Sequence, residues 1–239
     1  MKAWGLSDTG IAREHNEDAY MIRFDETAGL FAVCDGMGGA SAGEIASKTA
    51  IEAFAAYCED ADLMTEGAEA VMSAAIEHAN RSVFTMANEN EDYAGMGTTL
   101  VAMLTHKNTA VFGNVGDSRA YYIEGDEIRQ ITTDHSLVNE MLARGELNEY
   151  QAQRYPKRNI ITRSIGVDAS VKSDIFKISP KPGSYVLLCS DGLTNEVSVP
   201  ELHYEICGSG HPEKACEELI RIANSRGGHD NITVILVSF

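Results

Sequence analysis

The chain has 239 residues, 44% of them hydrophobic, and its 19 lysines and arginines stand against 36 aspartates and glutamates for a formal charge of −17. A chain this long buries roughly 70–75% of the surface that its unfolded form exposes, so a full core is within reach, and length alone allows one or two domains. So negative a field repels phosphodiester backbones and anionic lipid, which argues against nucleic-acid and membrane partners and requires any phosphate site to bring its own positive charge.

The five cysteines, Cys34, Cys58, Cys189, Cys207 and Cys216, form no Cys-x-x-Cys pair, and the odd count fits free thiols in a reducing cytosol. No signal peptide is readable at the start, and no apolar run reaches the roughly 18 residues that a membrane helix needs. A cytoplasmic protein is expected.

In chain order, Ala3 to Ser7 and Ala19 to Phe24 read as short strands, and the segment from Asp25 to Gly29 reads as a turn. Leu30 to Cys34 is a continuous apolar strand that feeds a glycine-rich loop, Gly36 to Gly43. Glu44 to Tyr57 has helical period, with Ile45, Ala46, Thr49, Ala50, Ala53, Phe54 and Tyr57 on one stripe. A second helix is expected from Met64 to Asn88, with Ala68, Val71, Met72, Ala75, Ile76, Ala79 and Val83 inward.

The middle of the chain is β: Thr98 to Thr105, Ala110 to Val115, Ala120 to Ile123 and Glu127 to Ile131. Their short links imply antiparallel neighbours. Residues 134–158 are polar and helical in period, broken at Gly145, and carry few large apolar side chains to pin them down. A flap is expected there. Strands near Ile160 to Ser164, Asp174 to Ile178 and Val186 to Cys189 follow, then helices Pro200 to Cys207 and Pro212 to Ser225, then a strand from Ile232 to Phe239. Some ten antiparallel strands with paired helices indicate an α+β sandwich rather than a doubly wound sheet.

Acidic residues recur where apolar strands end. Asp35 follows Val33-Cys34 and precedes Gly36; Asp117 lies in Val115-Gly116-Asp117-Ser118; Asp191 lies in Cys189-Ser190-Asp191-Gly192. Asp230 and the pair Glu17-Asp18 stand just before strands instead. Carboxylates so placed can converge at one rim of a sheet, and hard divalent cations want such oxygen ligands. Glycine after Asp35 lets a backbone carbonyl approach an ion. By spacing alone, the set reads as well as Asp-Gly turns as it does as an acidic metal centre. Zinc is disfavoured, because the seven histidines hold no close pair and the cysteines are scattered.

Six motifs stand in one order: Arg13-Glu14-His15-Asn16-Glu17-Asp18, Val33-Cys34-Asp35-Gly36-Met37-Gly38-Gly39, Gly97-Thr98-Thr99, Val115-Gly116-Asp117-Ser118-Arg119, Cys189-Ser190-Asp191-Gly192-Leu193 and Asp230-Asn231-Ile232-Thr233. From Gly5 to the last strand, the chain resembles the metal-dependent PPM, or type 2C, serine/threonine protein phosphatases in their compact bacterial form. The resemblance implies a single domain over residues 1–239, a central sandwich of two antiparallel β-sheets flanked by pairs of α-helices.

It also implies two tightly bound Mn²⁺ or Mg²⁺ ions bridged by Asp35. The Gly36 carbonyl would bind one ion, and Asp191 and Asp230 the other. Glu17 and Asp18 complete the set directly or through water, with their roles unseparated. Asp117, with Asp191, matches a third, weaker metal site, and Arg13 matches an arginine that clamps substrate phosphate. Phosphorylated proteins would be the substrates, among them a bacterial serine/threonine kinase and its targets. A monomer is expected.

Two such ions, roughly 3.5–4 Å apart, can share one hydroxide and offset charge on the phosphoryl oxygens, while a planar guanidinium fixes the line of attack. No covalent phosphoenzyme is needed, and no cysteine is followed by five residues and an arginine. Many relatives carry histidine just after the bridging Asp-Gly or after the next Gly-Gly. Met37 and Ala40 stand there instead, which leaves the general acid unassigned, with metal-bound water as the default. His135, at the start of the flap, reads either as shaping substrate access or as a surface histidine. An inactive sensor would need a broken site, yet Asp35, Asp191 and Asp230 are all present. A nuclease on another fold is opposed by the charge and by the lack of basic, aromatic-rich strips.

Overall fold

Two antiparallel sheets organise the computed structural model, which describes residues 1–25, 28–38 and 42–239. Glu26 and Thr27 of the expected turn, and Ala40 of the glycine-rich loop, lie outside the described residues. The first sheet has the order β1 (Lys2–Asp8), β11 (Ile232–Ser238), β10 (Tyr185–Cys189), β7 (Arg119–Glu124), β8 (Glu127–Gln130). The second runs β2 (Asp18–Phe24), β3 (Ala28–Met37), β5 (Leu100–His106), β6 (Thr109–Val115), β9 (Asp174–Ile178), with the short β4 (Gly97–Thr98) beside β3.

The two-residue period of a strand sorts the core into layers. On β3, Phe31 and Val33 face the other sheet, where they cluster with Leu188 and Ile235 of that sheet and Phe112 of their own. Leu30, Ala32 and Cys34 face outward instead, against α1 (Ala42–Asp60) and α3 (Ala68–Glu89). On β11, Ile235 and Val237 point between the sheets, whereas Val234 and Leu236 meet α7 (Val199–Ser209) and α8 (Pro212–Ser225). Each central strand is covered on both faces, which is why it reads as an unbroken apolar run. The layers are α-β-β-α, as expected.

Four local expectations need correction. The buried stripe of α1 takes in Ser47, Ile51, Ala55 and Cys58, while Ile45, Ala53 and Tyr57 are only partly buried. A serine breaks the apolar pattern there, but its hydroxyl donates to the Glu17 carbonyl oxygen at 2.6 Å, so it can be buried at no polar cost. The second helix is two, α2 (Leu63–Glu66) and α3, because Gly67 at φ 84° cannot continue a right-handed helix. Thr99 separates β4 from β5, its N–H donating to the Asp35 carbonyl oxygen at 2.9 Å.

Residues 160–164 form no extended strand. They make an isolated bridge between Ile161 and Ser136, and hydrogen bonds from Leu137 N–H to the Ile160 oxygen and from Thr162 N–H to the His135 oxygen. The segment thus holds the root of the 134–158 stretch rather than extending a sheet. That stretch contains α4 (Leu137–Ala143) and α5 (Glu149–Gln153), separated by Gly145 at φ 72°. Among its described side chains past Ser136, only Val138 and Ala152 are buried.

A candidate metal centre at one rim of the sandwich

Antiparallel pairing puts the ends of some strands beside the starts of others, and five acidic positions meet at one rim in this way. Asp18 begins β2 directly opposite Asp35 near the end of β3. Asp117 follows β6; Asp191 follows β10 and opens α6 (Asp191–Thr194); Asp230 precedes β11. Glu17 lies one residue before β2, and its carboxylate accepts the Gly43 N–H at the N-terminal end of α1, where the helix dipole favours an anion.

The carboxylates are held by polar residues that anchor their backbones and side chains. The Asp35 N–H donates to Thr99 Oγ1 at 3.0 Å, and Thr98 Oγ1 donates to the Asp35 carbonyl oxygen at 2.8 Å. Ser190 Oγ donates to Asp18 Oδ2 at 2.8 Å, and Asn195 Nδ2 to Asp191 Oδ2 at 2.9 Å. The Asn231 side chain is 3% exposed and closes the loop before β2. It accepts from Glu17 N–H at 2.8 Å and donates to the Thr9 and His15 carbonyls at 2.9 Å each. That loop carries Arg13, whose Nη2 donates to Asp230 Oδ2 at 2.8 Å while its side chain stays 46% exposed. Gly36 is obligatory for packing: a Cβ there would collide with the Gly43 carbonyl oxygen and lie 2.6 Å from that of Glu17.

Electrostatically the rim is unbalanced. Burial, reinforced by Asp18, Asp191, Asp230 and Asp117, pushes the Asp35 carboxyl well above the usual range. Burial lifts Asp18 to about 7 against hydrogen bonds from Thr233 and Ser190, and Asp117 to about 7 with help from Asp191 and Asp134. Asp191 and Glu17 are raised for the same first reason. Asp18 Oδ1 and Asp191 Oδ1 are buried without a hydrogen-bond partner. Among the described residues, no three acidic, histidine or cysteine side chains are already drawn into a ligand set. Neighbouring carboxylates repel one another until a cation stands between them, and the orphaned oxygens together with the mutual repulsion fit a divalent cation.

Of the positions expected from sequence, Arg13, Glu17, Asp18, Asp35, Gly36, Asp117, Asp191 and Asp230 come together here. Glu17 and Asp18 separate in character: Glu17 sits at the rim beside Arg13 and Asp230, whereas Asp18 is buried beneath. Among the described residues, Asp117 accepts a hydrogen bond only from its own backbone. His135 is not a surface residue: it is 5% exposed and faces Gly116 rather than the cleft. Cys34 and Cys189 are core, and burial pushes the first thiol up and the second to about 12, so neither is a nucleophile. Thr98, Thr99, Ser190, Asn195 and Asn231 were given no role from sequence, although all but Asn195 stand within its motifs.

A cleft of about 1180 Å³ starts at Asp117 and Asp191. It runs between the 134–158 stretch, with Asn139 and Arg154, and the wall formed by Thr194 and Pro200.

A strand-end carboxylate rim with one arginine, on a four-layer sandwich, has the chemistry to hold divalent cations beside a phosphoryl group. The protein phosphatase 2C family profile matches residues 11–228. The chain is 39% identical over 240 residues to the serine/threonine phosphatase stp of Listeria innocua, covering 99% of this chain and 95% of that protein. The solved structure of serine/threonine phosphatase Stp1 from Staphylococcus aureus aligns with a TM-score of 0.93 at 38% identity, over 100% of this chain and 94% of that one. The catalytic domain of the serine/threonine phosphatase PstP, solved in complex with two manganese ions, aligns at 0.85 and 31% identity, over 98% and 96%. The chain belongs to the protein phosphatase 2C family and is a protein serine/threonine phosphatase.

Proposed function

We propose that this phosphatase hydrolyses phosphoserine and phosphothreonine in proteins with two Mn²⁺ or Mg²⁺ ions, held at the rim by Asp35, the Gly36 carbonyl, Asp191 and Asp230. Glu17 and Asp18 complete the set, and Asp117 with Asp191 holds a third, weaker ion. The convergence of these carboxylates, two with orphaned buried oxygens, carries the reading. When bound, such ions lower the pKa of water and offset charge on the phosphoryl oxygens.

The chain's own groups do the rest. Arg13 is anchored on a loop stapled by Asn231, with its fork at the rim, so it can take two phosphoryl oxygens and fix the in-line approach. Asn195 and Ser190 hold Asp191 and Asp18 in single orientations, which limits reorganisation during the reaction. The cleft beyond Asp117 and Asp191 accommodates the polypeptide around the phosphoresidue, with 134–158 as its flap. Met37 has no proton to give, so the leaving oxygen takes its proton from water. The chain works as one domain over residues 1–239, as a cytoplasmic monomer that opposes a serine/threonine kinase. Among the described residues, no helix is long and apolar enough to cross a membrane.

Phosphothreonine peptide, phosphotyrosine peptide and single-stranded DNA, each assayed with Mn²⁺ and with EDTA, test the reading. Release of phosphate from the first substrate alone, abolished by EDTA, is expected. Undiminished turnover in EDTA, or preferential cleavage of DNA, would overturn it.

A further inference from the structure

Among the described residues, Asp117 takes no hydrogen bond from any but itself, so the direction of its carboxylate is set by the backbone that precedes it. That backbone is Gly116, at φ 107°, where a Cβ would lie 2.6 Å from Thr99 Cβ. A left-handed residue pressed against Thr99 has few ways to move. Its polar groups are held largely from one place. The His135 N–H donates to the Gly116 carbonyl oxygen at 2.9 Å, and His135 Nδ1 accepts the buried Gly116 N–H at 3.1 Å. Asn114 Nδ2 adds a longer bond to the same carbonyl at 3.3 Å.

The ring's other edge decides its tautomer. His135 Nε2 lies 3.2 Å from Asp174 Oδ2 and 3.0 Å from Arg163 Nη1. A neutral imidazole has one lone pair, so Gly116 and Arg163 cannot both use it. Arg163 has other acceptors, Asp174 Oδ1 at 2.9 Å and the Lys172 carbonyl at 3.3 Å, whereas among the described residues the Gly116 N–H has only Nδ1. The lone pair therefore belongs at Nδ1, with the proton at Nε2 pointing to Asp174. A buried N–H stripped of its acceptor is costly, so this arrangement is the stable one.

His135 also stands at the root of the 134–158 stretch, beside Asp134, which accepts Arg119 Nε and Nη2 at 2.9 and 2.6 Å through Oδ2. We propose that His135 is a positioning residue: through both hydrogen bonds to Gly116 it aims Asp117 at the rim and ties that aim to the root of the flap. The proposal rests on the reading that Asp117 holds the third, weaker cation.

Three measurements test it. In the metal-free protein, ¹⁵N shifts of His135 should show an unprotonated Nδ1 and a protonated Nε2; a proton at Nδ1 would overturn the proposal. His135→Leu should speed exchange of the Gly116 amide, keep the two tight Mn²⁺ sites by calorimetry and weaken the third. It should also lower phosphopeptide turnover roughly five- to tenfold, the scale of one lost buried hydrogen bond. His135→Asn, whose Oδ1 can replace Nδ1 as acceptor, should recover most of that loss and covers the case in which the leucine variant misfolds. In an Asp117→Ala background, His135→Leu should change turnover less than twofold. If Asp117→Ala weakens the third site and turnover while His135→Leu alters neither, the positioning role is wrong and the reading of Asp117 stands. If Asp117→Ala itself changes nothing, that reading fails and takes the proposal with it.

Discussion

A buried carboxylate oxygen without a donor is costly in a metal-free protein, and Asp191 has one. Asp191→Ala should therefore cut phosphopeptide turnover by a factor of about a thousand or more, since the lost ion accounts for several kcal/mol of charge stabilisation. The metal-free variant should melt no lower than the wild type, because one repelling charge is gone. Turnover within tenfold of the wild type at saturating Mn²⁺ would remove Asp191 from the ligand set. Arg13→Ala should raise KM more than it lowers kcat, provided the guanidinium binds ground and transition states alike. An unchanged KM in steady-state assays would take Arg13 out of the site. Asp35, Asp117 and Asp191 were legible in the sequence because each follows an apolar strand beside a small residue, whereas Arg13, in the loop before β2, was legible only through the order of the family's motifs. The roles of Thr99, Ser190 and Asn231 were not, since their partners lie 64, 172 and 214 residues away along the chain.

At the scale of elements, the site depends on how closely α1 approaches β3. Gly36, Gly43 and the Glu17 backbone share one small volume, and Ser47 pins Glu17 from the helix side. Gly36→Ala should destabilise the protein by roughly 2–4 kcal/mol, the range of steric intrusions into a packed site, and weaken Mn²⁺ binding as well. Denaturant melts with and without Mn²⁺ would measure both, and an unaffected melt would mean that α1 can retreat. The sequence placed most strands within one or two residues, because antiparallel links are short and each strand has its own apolar run. It misjudged the inward face of α1, where a serine is buried through a bond to a distant backbone oxygen. It took residues 160–164 for a strand because apolar content does not reveal which partner is available for pairing.

Over the whole molecule, the charge of −17 has its most consequential part at the rim, where carboxylates are raised by burial and by one another. Asp18 and Asp117 rise to about 7 from the ordinary value of 3.8, so across that window the native metal-free state keeps protons that the unfolded chain releases. Stability from these groups is then fully present below the lower value and is lost as pH rises through the upper one. The melting temperature of the EDTA-treated protein should fall between pH 5 and 8, and Mn²⁺ should restore more stability at pH 8 than at pH 5, because ion and proton compete for the same oxygens. A metal-free protein that grows steadily more stable toward pH 8 would contradict the cluster's electrostatics. The layered architecture was readable from strand count, short antiparallel links and paired helices, whereas the rim's geometry appeared only when pairing brought β2, β3, β6, β10 and β11 into register. Anomalous scattering at the manganese edge, from crystals soaked in Mn²⁺, is the most direct test. The account predicts two strong peaks, both in contact with Asp35, one shared with the Gly36 carbonyl and the other with Asp191 and Asp230. Strong peaks away from this rim, with none at Asp35, would contradict it.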